Sequence, residues 1–200
     1  CLLPASSSKP FMQSIINCMD GLLLDAGNKQ LLDDNWTGTY INDCTNAIRL
    51  YASATNVGVQ GHIFNINFIV RALHSIYFDA PIGISPLWGT NVFNCYEVDA
   101  NHKVGSTGIT SSNNNAISNN VFNCTGFFGA FESWYVKVSN SNKLELSIPP
   151  QYILTAENFA IKGNGNKVSI NPCEANFLGA YIGASMTSNN LANFNGGNPI

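Results

Sequence analysis

Charged residues are scarce in this chain. Asp, Glu, Lys and Arg make up 10% of its 200 residues, against about a quarter in an average globular protein. The nine Lys and Arg residues are scattered, so no basic stripe is available for phosphate contacts and we predict no nucleic-acid partner. No apolar run approaches the roughly 18 residues that a membrane-spanning helix needs, so we predict no transmembrane segment in this chain.

Motifs of the common catalytic and metal sites are also missing. The sequence contains no C-x-x-C pair, no G-x-S-x-G nucleophile motif, no phosphate-binding glycine loop and no H-E-x-x-H zinc motif. We therefore predict no catalytic, cofactor-binding or metal-binding residue, no cofactor, and no enzyme activity.

Uncharged polar residues take the place of the missing charge. The chain has 29 Asn and 17 Gly residues beside many Ser and Thr, which are residues that satisfy backbone groups in turns. Cytosolic proteins usually keep a mixed Lys and Glu surface instead. We predict that the protein is secreted and works in an extracellular or cell-surface location.

Six widely spaced cysteines support the same compartment. They are Cys1, Cys18, Cys44, Cys95, Cys124 and Cys173. An even number of cysteines in a low-charge chain favours disulfide bonds over buried thiols. Of the fifteen connectivities that six cysteines allow, we predict Cys1–Cys18, Cys44–Cys95 and Cys124–Cys173.

The N-terminal residues allow an alternative location. Cys1 is followed by a polar segment with three serines and two prolines, and this arrangement resembles the lipidated N-terminus of a bacterial lipoprotein. The resemblance implies a periplasmic protein that is anchored by a lipid on Cys1 and serves an envelope complex.

Two kinds of residue are candidates for contact with sugars. Asn35 and Asn123 begin N-x-T sequons and are candidate glycosylation sites. Trp36, Trp88 and Trp134 are candidates for stacking on sugar rings. The alternative for the three tryptophans is packing in the core, where Trp side chains are usually buried.

The hydrophobic pattern predicts an α+β fold that is mostly β, with one N-terminal amphipathic helix packed on an antiparallel sheet or sandwich. Apolar residues recur at helical spacing between residues 11 and 24, namely Phe11, Ile15, Cys18, Met19, Leu22 and Leu23. Later segments alternate as strands do, at residues 37–41, 58–70, 92–98, 131–138, 143–148, 159–161 and 167–170. Residues 99–120 are predicted to form a long exposed loop.

The domain prediction is a single globular unit at residues 11–187. An extended lead-in at 1–10 precedes it, and a loosely ordered tail at 188–200 follows. The alternative fold is a parallel β-helix, because residues 116–123 resemble coils in which Asn and small apolar residues recur. We identify no exact internal repeat, so the α+β fold is our main prediction.

Helix, sheet and cysteines together resemble the globular head of a type IV pilin or pseudopilin. The family's hydrophobic assembly helix, with its early glutamate, is not in this sequence. The pilin-like resemblance implies a structural or adhesive subunit that self-assembles into an extracellular pilus, fibre, virion or secretion apparatus. The partners would be further copies or other envelope and surface proteins. The second hypothesis is a carbohydrate-binding module or glycan-active enzyme, whose partners would be glycans.

Overall fold

Strands account for all the regular structure that is described. The computed structural model describes residues 11–99, 106–112, 117 and 119–128, and strands at 131–132, 143–148, 161–162, 167–172 and 191–194. In chain order the strands are β1 (Phe11–Ile16), β2 (Asp20–Asp25), β3 (Leu31–Leu32), β4 (Asn35–Asn42), β5 (Asn46–Tyr51), β6 (Val59–Gln60), β7 (Ile63–Val70), β8 (His74–Asp79), β9 (Val92–Asp99), β10 (Thr107–Ser111), β11 (Val121–Phe128), β12 (Phe131–Glu132), β13 (Lys143–Ile148), β14 (Ile161–Lys162), β15 (Lys167–Pro172) and β16 (Leu191–Phe194).

These strands form a parallel β-solenoid. The long sheet has the order β1-β4-β7-β9-β11-β13-β15-β16, the second sheet has the order β14-β12-β10-β8-β5-β2, and β3 pairs with β6. Every pair among the described strands is parallel. Because each sheet takes its strands from successive stretches of chain, each turn of chain, or rung, stacks on the rung before it.

The register shows that neighbouring rungs can have the same length. Ile63 pairs with Val92, and Val92 pairs with Val121, so the two intervening stretches of chain are equally long. Later rungs are shorter, since Val121 pairs with Lys143 and Lys143 with Lys167. A solenoid tolerates such changes because the turns between strands absorb insertions while the strands keep their stacking.

Residues with left-handed backbone form the corners of the rungs. The corner that precedes strands of the long sheet holds four residues with φ between 56° and 73°, namely Asp33, Gly61, Thr90 and Asn119. The corner after strands of the long sheet holds three with φ between 54° and 57°, namely Asn17, Asp43 and Arg71. Asn, Asp and Gly tolerate this conformation best, so the abundant Asn and Gly residues serve the turning of the chain.

Stacked side chains fill the interior. The rings of Phe64 and Phe93 lie 4.6 Å apart at an angle of 5°, and those of Phe93 and Phe122 lie 5.0 Å apart at 9°. The ring of Phe78 approaches Phe93 edge-on from the second sheet, at 6.0 Å. All four side chains are fully buried, which stabilises the fold by about 1.5–3 kcal/mol for each ring.

The predicted N-terminal helix is wrong. Residues 11–25 form strands β1 and β2, with a corner at Asn17 between them. The helix prediction fails because the corner at Asn17 interrupts the strand pattern, in which every second residue points into the interior. Met12, Ile15 and Cys18 pack against the core at intervals of three residues, and this spacing imitates a helix.

The antiparallel arrangement is also wrong, because all strand pairs are parallel. The long loop predicted at residues 99–120 contains strand β10, and the tail predicted at 188–200 contains strand β16. The strand predicted at 143–148 is confirmed as β13. Residues 1–10 lie outside the described residues, and so does most of the segment 131–138.

The architecture that supported the resemblance to pilins is absent from the described residues, because they contain no helix. No helix that could span a membrane occurs in this part of the chain. The alternative prediction, a parallel β-helix, describes the fold that the structure has.

The chain also has one exact internal repeat, so the prediction of no exact repeat is wrong. The pentapeptide Asn-Val-Phe-Asn-Cys occurs at residues 91–95 and again at 120–124. The two copies are separated by the length of one rung, and they pair in register on β9 and β11.

Candidate functional site

A ladder of asparagines crosses the outer face of the long sheet. The Nδ2 of Asn65 donates to the Oδ1 of Asn35 at 3.0 Å, the Nδ2 of Asn94 to Asn65 at 2.9 Å, and the Nδ2 of Asn123 to Asn94 at 2.9 Å. Parallel register brings the amides together, since Asn65, Asn94 and Asn123 are consecutive register partners. Each of these side chains is half-buried.

The ladder leaves part of the hydrogen-bonding capacity of its amides unused. A side-chain amide has two N–H groups and an oxygen with two lone pairs. The bonds along the ladder use one N–H and one lone pair of Asn65 and of Asn94. Each of these two amides therefore keeps a donor and an acceptor for another molecule, at intervals of about 4.8 Å, the spacing between neighbouring strands.

Aromatic side chains stand beside this ladder on the same face. The rings of Tyr40 and Phe68 lie 6.2 Å apart, and those of Phe68 and Tyr96 lie 5.4 Å apart in an edge-to-face arrangement. Tyr96 is 60% exposed, and Tyr40 and Phe68 are half-buried. We call Tyr40, Phe68, Tyr96 and the ladder residues Asn65 and Asn94 the aromatic–amide face.

The aromatic–amide face is almost uncharged. Strands β4, β7 and β9 contain two charged residues, Glu97 and Asp99, both near the end of β9. At the adjoining corner the guanidinium of Arg71 donates to the carboxylate of Asp43, and this contact raises the pKa of Arg71. The ion pair is exposed, so it adds little to stability.

The outer face of the second sheet has a different chemistry. Arg49 on β5 joins its own rung to the rung before it and the rung after it. Its Nη1 lies 3.1 Å from the Oδ2 of Asp20 on β2, and its Nη2 lies 2.5 Å from the Oδ2 of Asp79 on β8. Burial lowers the pKa of Arg49, and the two carboxylates more than offset this and raise it overall. The guanidinium also lies 5.3 Å from the ring centre of Tyr51.

This ionic cluster is occupied by its own bonds. Asp20 also accepts a hydrogen bond from the Nδ2 of Asn46 at 2.7 Å. Burial and the charge of Asp79 raise the pKa of Tyr77, which lies beside the cluster. These contacts tie neighbouring rungs together.

A buried polar chain lies at the corner that precedes the long sheet. The Oδ1 of Asn91 accepts the backbone N–H of His62 at 3.1 Å, and its Nδ2 donates to the carbonyl of Val59 at 2.9 Å. The Nδ2 of Asn91 also donates to the Oδ1 of Asn120 at 3.0 Å, and Asn120 donates to the carbonyl of Trp88 at 2.7 Å. The two asparagines thus bind backbone groups that the corners would otherwise leave unsatisfied.

Two of the three candidates for sugar stacking, Trp36 and Trp88, are buried. Trp36 is 6% exposed and donates to the Nδ1 of His62 at 3.1 Å. Trp88 is 1% exposed and packs edge-on against Phe78. Neither ring has a face open to a sugar, and Trp134 lies outside the described residues.

The two sequon asparagines are members of one ladder. Asn35 accepts at its first described rung, and Asn123 donates at the fourth. Their use as glycosylation sites stays a prediction. The three aromatic residues of the aromatic–amide face are not among the site residues predicted from the sequence. Tyr40, Phe68 and Tyr96 are nevertheless evenly spaced in the sequence, at an interval close to one rung.

The structure has thiols at the four described cysteines, Cys18, Cys44, Cys95 and Cys124. The predicted Cys44–Cys95 bond is not among its contacts. The other two predicted bonds, Cys1–Cys18 and Cys124–Cys173, each include a residue that lies outside the described residues. Among the described residues, no group of three or more His, Cys, Asp and Glu side chains could hold a metal ion.

Comparison of the chain with protein-family models, with curated proteins and with solved structures finds no match.

Proposed function

We propose that this protein is a structural or adhesive subunit of an extracellular assembly, in which the solenoid serves as a rigid spacer and display surface. The observation that carries the proposal is the stacking of rungs through uncharged amides and rings, both outside and inside the solenoid. Such a stack is stiff because each rung contacts its neighbours over its whole length. Stacking through uncharged groups also fits the scarcity of charge in the sequence.

The low charge of the chain supports assembly as well. Low charge removes the repulsion that would oppose contact between copies.

The test of this proposal is the size of native material. Light scattering and negative-stain microscopy of the secreted protein should show oligomers, fibres or a larger complex. A strict monomer at all accessible concentrations would contradict the assembly function.

The aromatic–amide face favours a second candidate function, binding of a neutral glycan. Exposed aromatic rings bury the apolar faces of sugars, and amides exchange hydrogen bonds with hydroxyl groups. The absence of cations on β4, β7 and β9 favours a neutral ligand over an acidic one. This candidate places the sugar contact on Tyr40, Phe68 and Tyr96 instead of on tryptophans.

A direct binding measurement tests the second candidate. Calorimetry with neutral hexasaccharides, using polygalacturonate as an acidic comparison, should show binding of a neutral sugar that Tyr96→Ala weakens about tenfold. The matched control is Tyr51→Ala, on the outer face of the second sheet, which should bind normally. Equal loss in both variants, or no binding to any neutral sugar, would contradict the glycan function.

A further inference from the structure

The four described cysteines lie in two pairs on neighbouring rungs. Cys95 and Cys124 are direct register partners on β9 and β11. Cys18 and Cys44 occupy the same place in two successive corners, because Ile16 pairs with Asn42 before the corner and Asp20 pairs with Asn46 after it. Each described cysteine thus has another cysteine one rung away.

The backbone at the first pair repeats closely from rung to rung. The thiol of Cys18 donates to the carbonyl of Ile16 at 3.5 Å, and the thiol of Cys44 donates to the carbonyl of Asn42 at 3.4 Å. The N–H of Thr45 donates to the carbonyl of Cys18 at 3.0 Å. The two corners therefore have matching conformations and are joined by a hydrogen bond at the cysteines.

The second pair is in contact inside the solenoid. Cys95 and Cys124 are 4% and 2% exposed. A hydrogen bond with Cys95, together with burial, raises the pKa of the Cys124 thiol. The two cysteines end the two copies of the repeated pentapeptide, and each directly follows a ladder asparagine, Asn94 or Asn123.

Strand spacing permits a bond at both places. Neighbouring strands lie about 4.8 Å apart, and disulfides join residues whose Cα atoms are about 4.4–6.8 Å apart. To form the bond, the two side chains must tilt toward each other, because disulfides also need Cβ atoms about 3.5–4.5 Å apart. Side chains at the same register position of parallel strands point to the same side of the sheet. The predicted Cys44–Cys95 pair lacks this relation, since the register partner of Cys95 in the preceding rung is Ile66.

We infer that folding in an oxidising environment joins Cys18 to Cys44 and Cys95 to Cys124, so that each disulfide staples one rung to the next. In each reaction two thiols lose their protons and two electrons, and the new S–S bond forms. The electrons reduce an external disulfide, such as oxidised glutathione, to two thiols. Since three of the four cysteines are buried, the bonds form while the rungs stack, before the interior closes.

Peptide mapping after oxidative refolding tests the connectivity. The chain is refolded with reduced and oxidised glutathione, alkylated, and digested without reductant by trypsin. Trypsin releases residues 30–49, 72–103 and 104–137, which contain Cys44, Cys95 and Cys124. A second digestion with chymotrypsin, cutting after Phe11, separates Cys1 from Cys18.

The expected result is one linked pair of peptides for Cys18 with Cys44 and one for Cys95 with Cys124. A pair that is fully alkylated in protein with a cooperative melting transition overturns the inference for that pair. Linkage of Cys44 to Cys95, or of Cys124 to Cys173, overturns it as well.

Thermal melting gives an independent readout. Reductant should lower the Tm of oxidised wild-type protein by roughly 5–10 °C, and it should lower the Tm of the double variant Cys95→Ala/Cys124→Ala by less. If that variant does not fold, Cys18→Ala serves instead, because Cys18 is only half-buried. It should free Cys44 for alkylation and leave the link between Cys95 and Cys124 intact, and loss of that link would contradict the assignment.

Discussion

At the scale of single residues, the buried pair of Trp36 and His62 shows how the interior selects a protonation state. The Nδ1 of His62 accepts the indole N–H of Trp36, so this nitrogen cannot carry a proton at the same time. Burial lowers the pKa of His62, while the backbone of Leu31 and the carboxylates of Asp34 and Asp33 offset part of that effect. The folded protein therefore holds the imidazole in its neutral form.

Because of the buried pair of Trp36 and His62, we predict that the folded protein loses stability in mild acid. Because the pKa of His62 is lower in the folded than in the unfolded chain, the unfolded chain takes up the proton first as the pH falls. The free energy of unfolding should then decrease below about pH 6.5, by at most about 1.4 kcal/mol for each pH unit, until the folded pKa is passed. Urea unfolding between pH 5 and pH 8 measures this slope.

The variant His62→Gln should be less stable at neutral pH and should show a shallower slope in acid. Asn94→Ala, which removes no titratable group, is the control and should keep the wild-type slope. An unchanged slope in His62→Gln would contradict the assignment of the acid sensitivity to His62.

At the scale of elements, buried and outer asparagine side chains contribute differently to stability. The side chain of Asn91 binds two neighbouring backbone groups and the Asn120 amide in a buried corner, whereas Asn94 is half-buried on the outer face. A buried group that loses its partner bears the full cost of its desolvation, and a half-exposed group can turn to water.

We expect Asn91→Ala to lower the free energy of unfolding by about 2–4 kcal/mol, and Asn94→Ala by about 1 kcal/mol or less. Urea unfolding of the two variants in parallel measures the difference. They remove the same amide from residues in the same strand region, so equal losses would show that the corner does not depend on the Asn91 bonds.

The sequence pattern predicts the strands of this fold better than the corners between them. Alternation within a strand is a local property, so the pattern predicts β13 with its true bounds and β4 and β9 close to theirs. The single strand predicted at 58–70 is wrong in part, because it covers β6, the corner at Gly61 and β7. The path between strands depends on single left-handed residues such as Asn17 and Asp43, and amphipathic spacing cannot distinguish a β corner from a helical turn. This is why the spacing of Met12, Ile15 and Cys18 resembles that of a helix.

A stronger signal is present at the period of one rung. An asparagine directly precedes β9, β11, β13, β15 and β16 in the sequence. Two of these residues, Asn91 and Asn120, form the buried polar chain. Because rungs differ in length, the interval between these asparagines varies, and a search for one fixed repeat length does not find it. The aromatic–amide face escapes sequence analysis for a related reason, as its members are far apart until the rungs are aligned.

At the scale of the whole molecule, a solenoid differs from a globular domain in the range of its couplings. Each rung touches the rung before and the rung after it, so stability is approximately a sum of rung terms and nearest-neighbour terms. The interior rings of Phe64, Phe93 and Phe122 form one stacked column, with one ring on each of three successive rungs. Substitutions in this column can therefore measure how far energetic coupling extends along the solenoid.

We predict that energetic coupling in this column stops at the adjacent rung. In double-mutant cycles of Phe→Leu variants, Phe64 with Phe93 and Phe93 with Phe122 should show couplings of about 0.5–1.5 kcal/mol, because their rings are stacked. Phe64 with Phe122, which are separated by Phe93, should be additive within about 0.5 kcal/mol. Urea unfolding of the single and double variants gives all three couplings. A coupling between Phe64 and Phe122 as large as the other two would mean that the interior responds as one globular core, and the view of the molecule as a linear stack of rungs would then have to be abandoned.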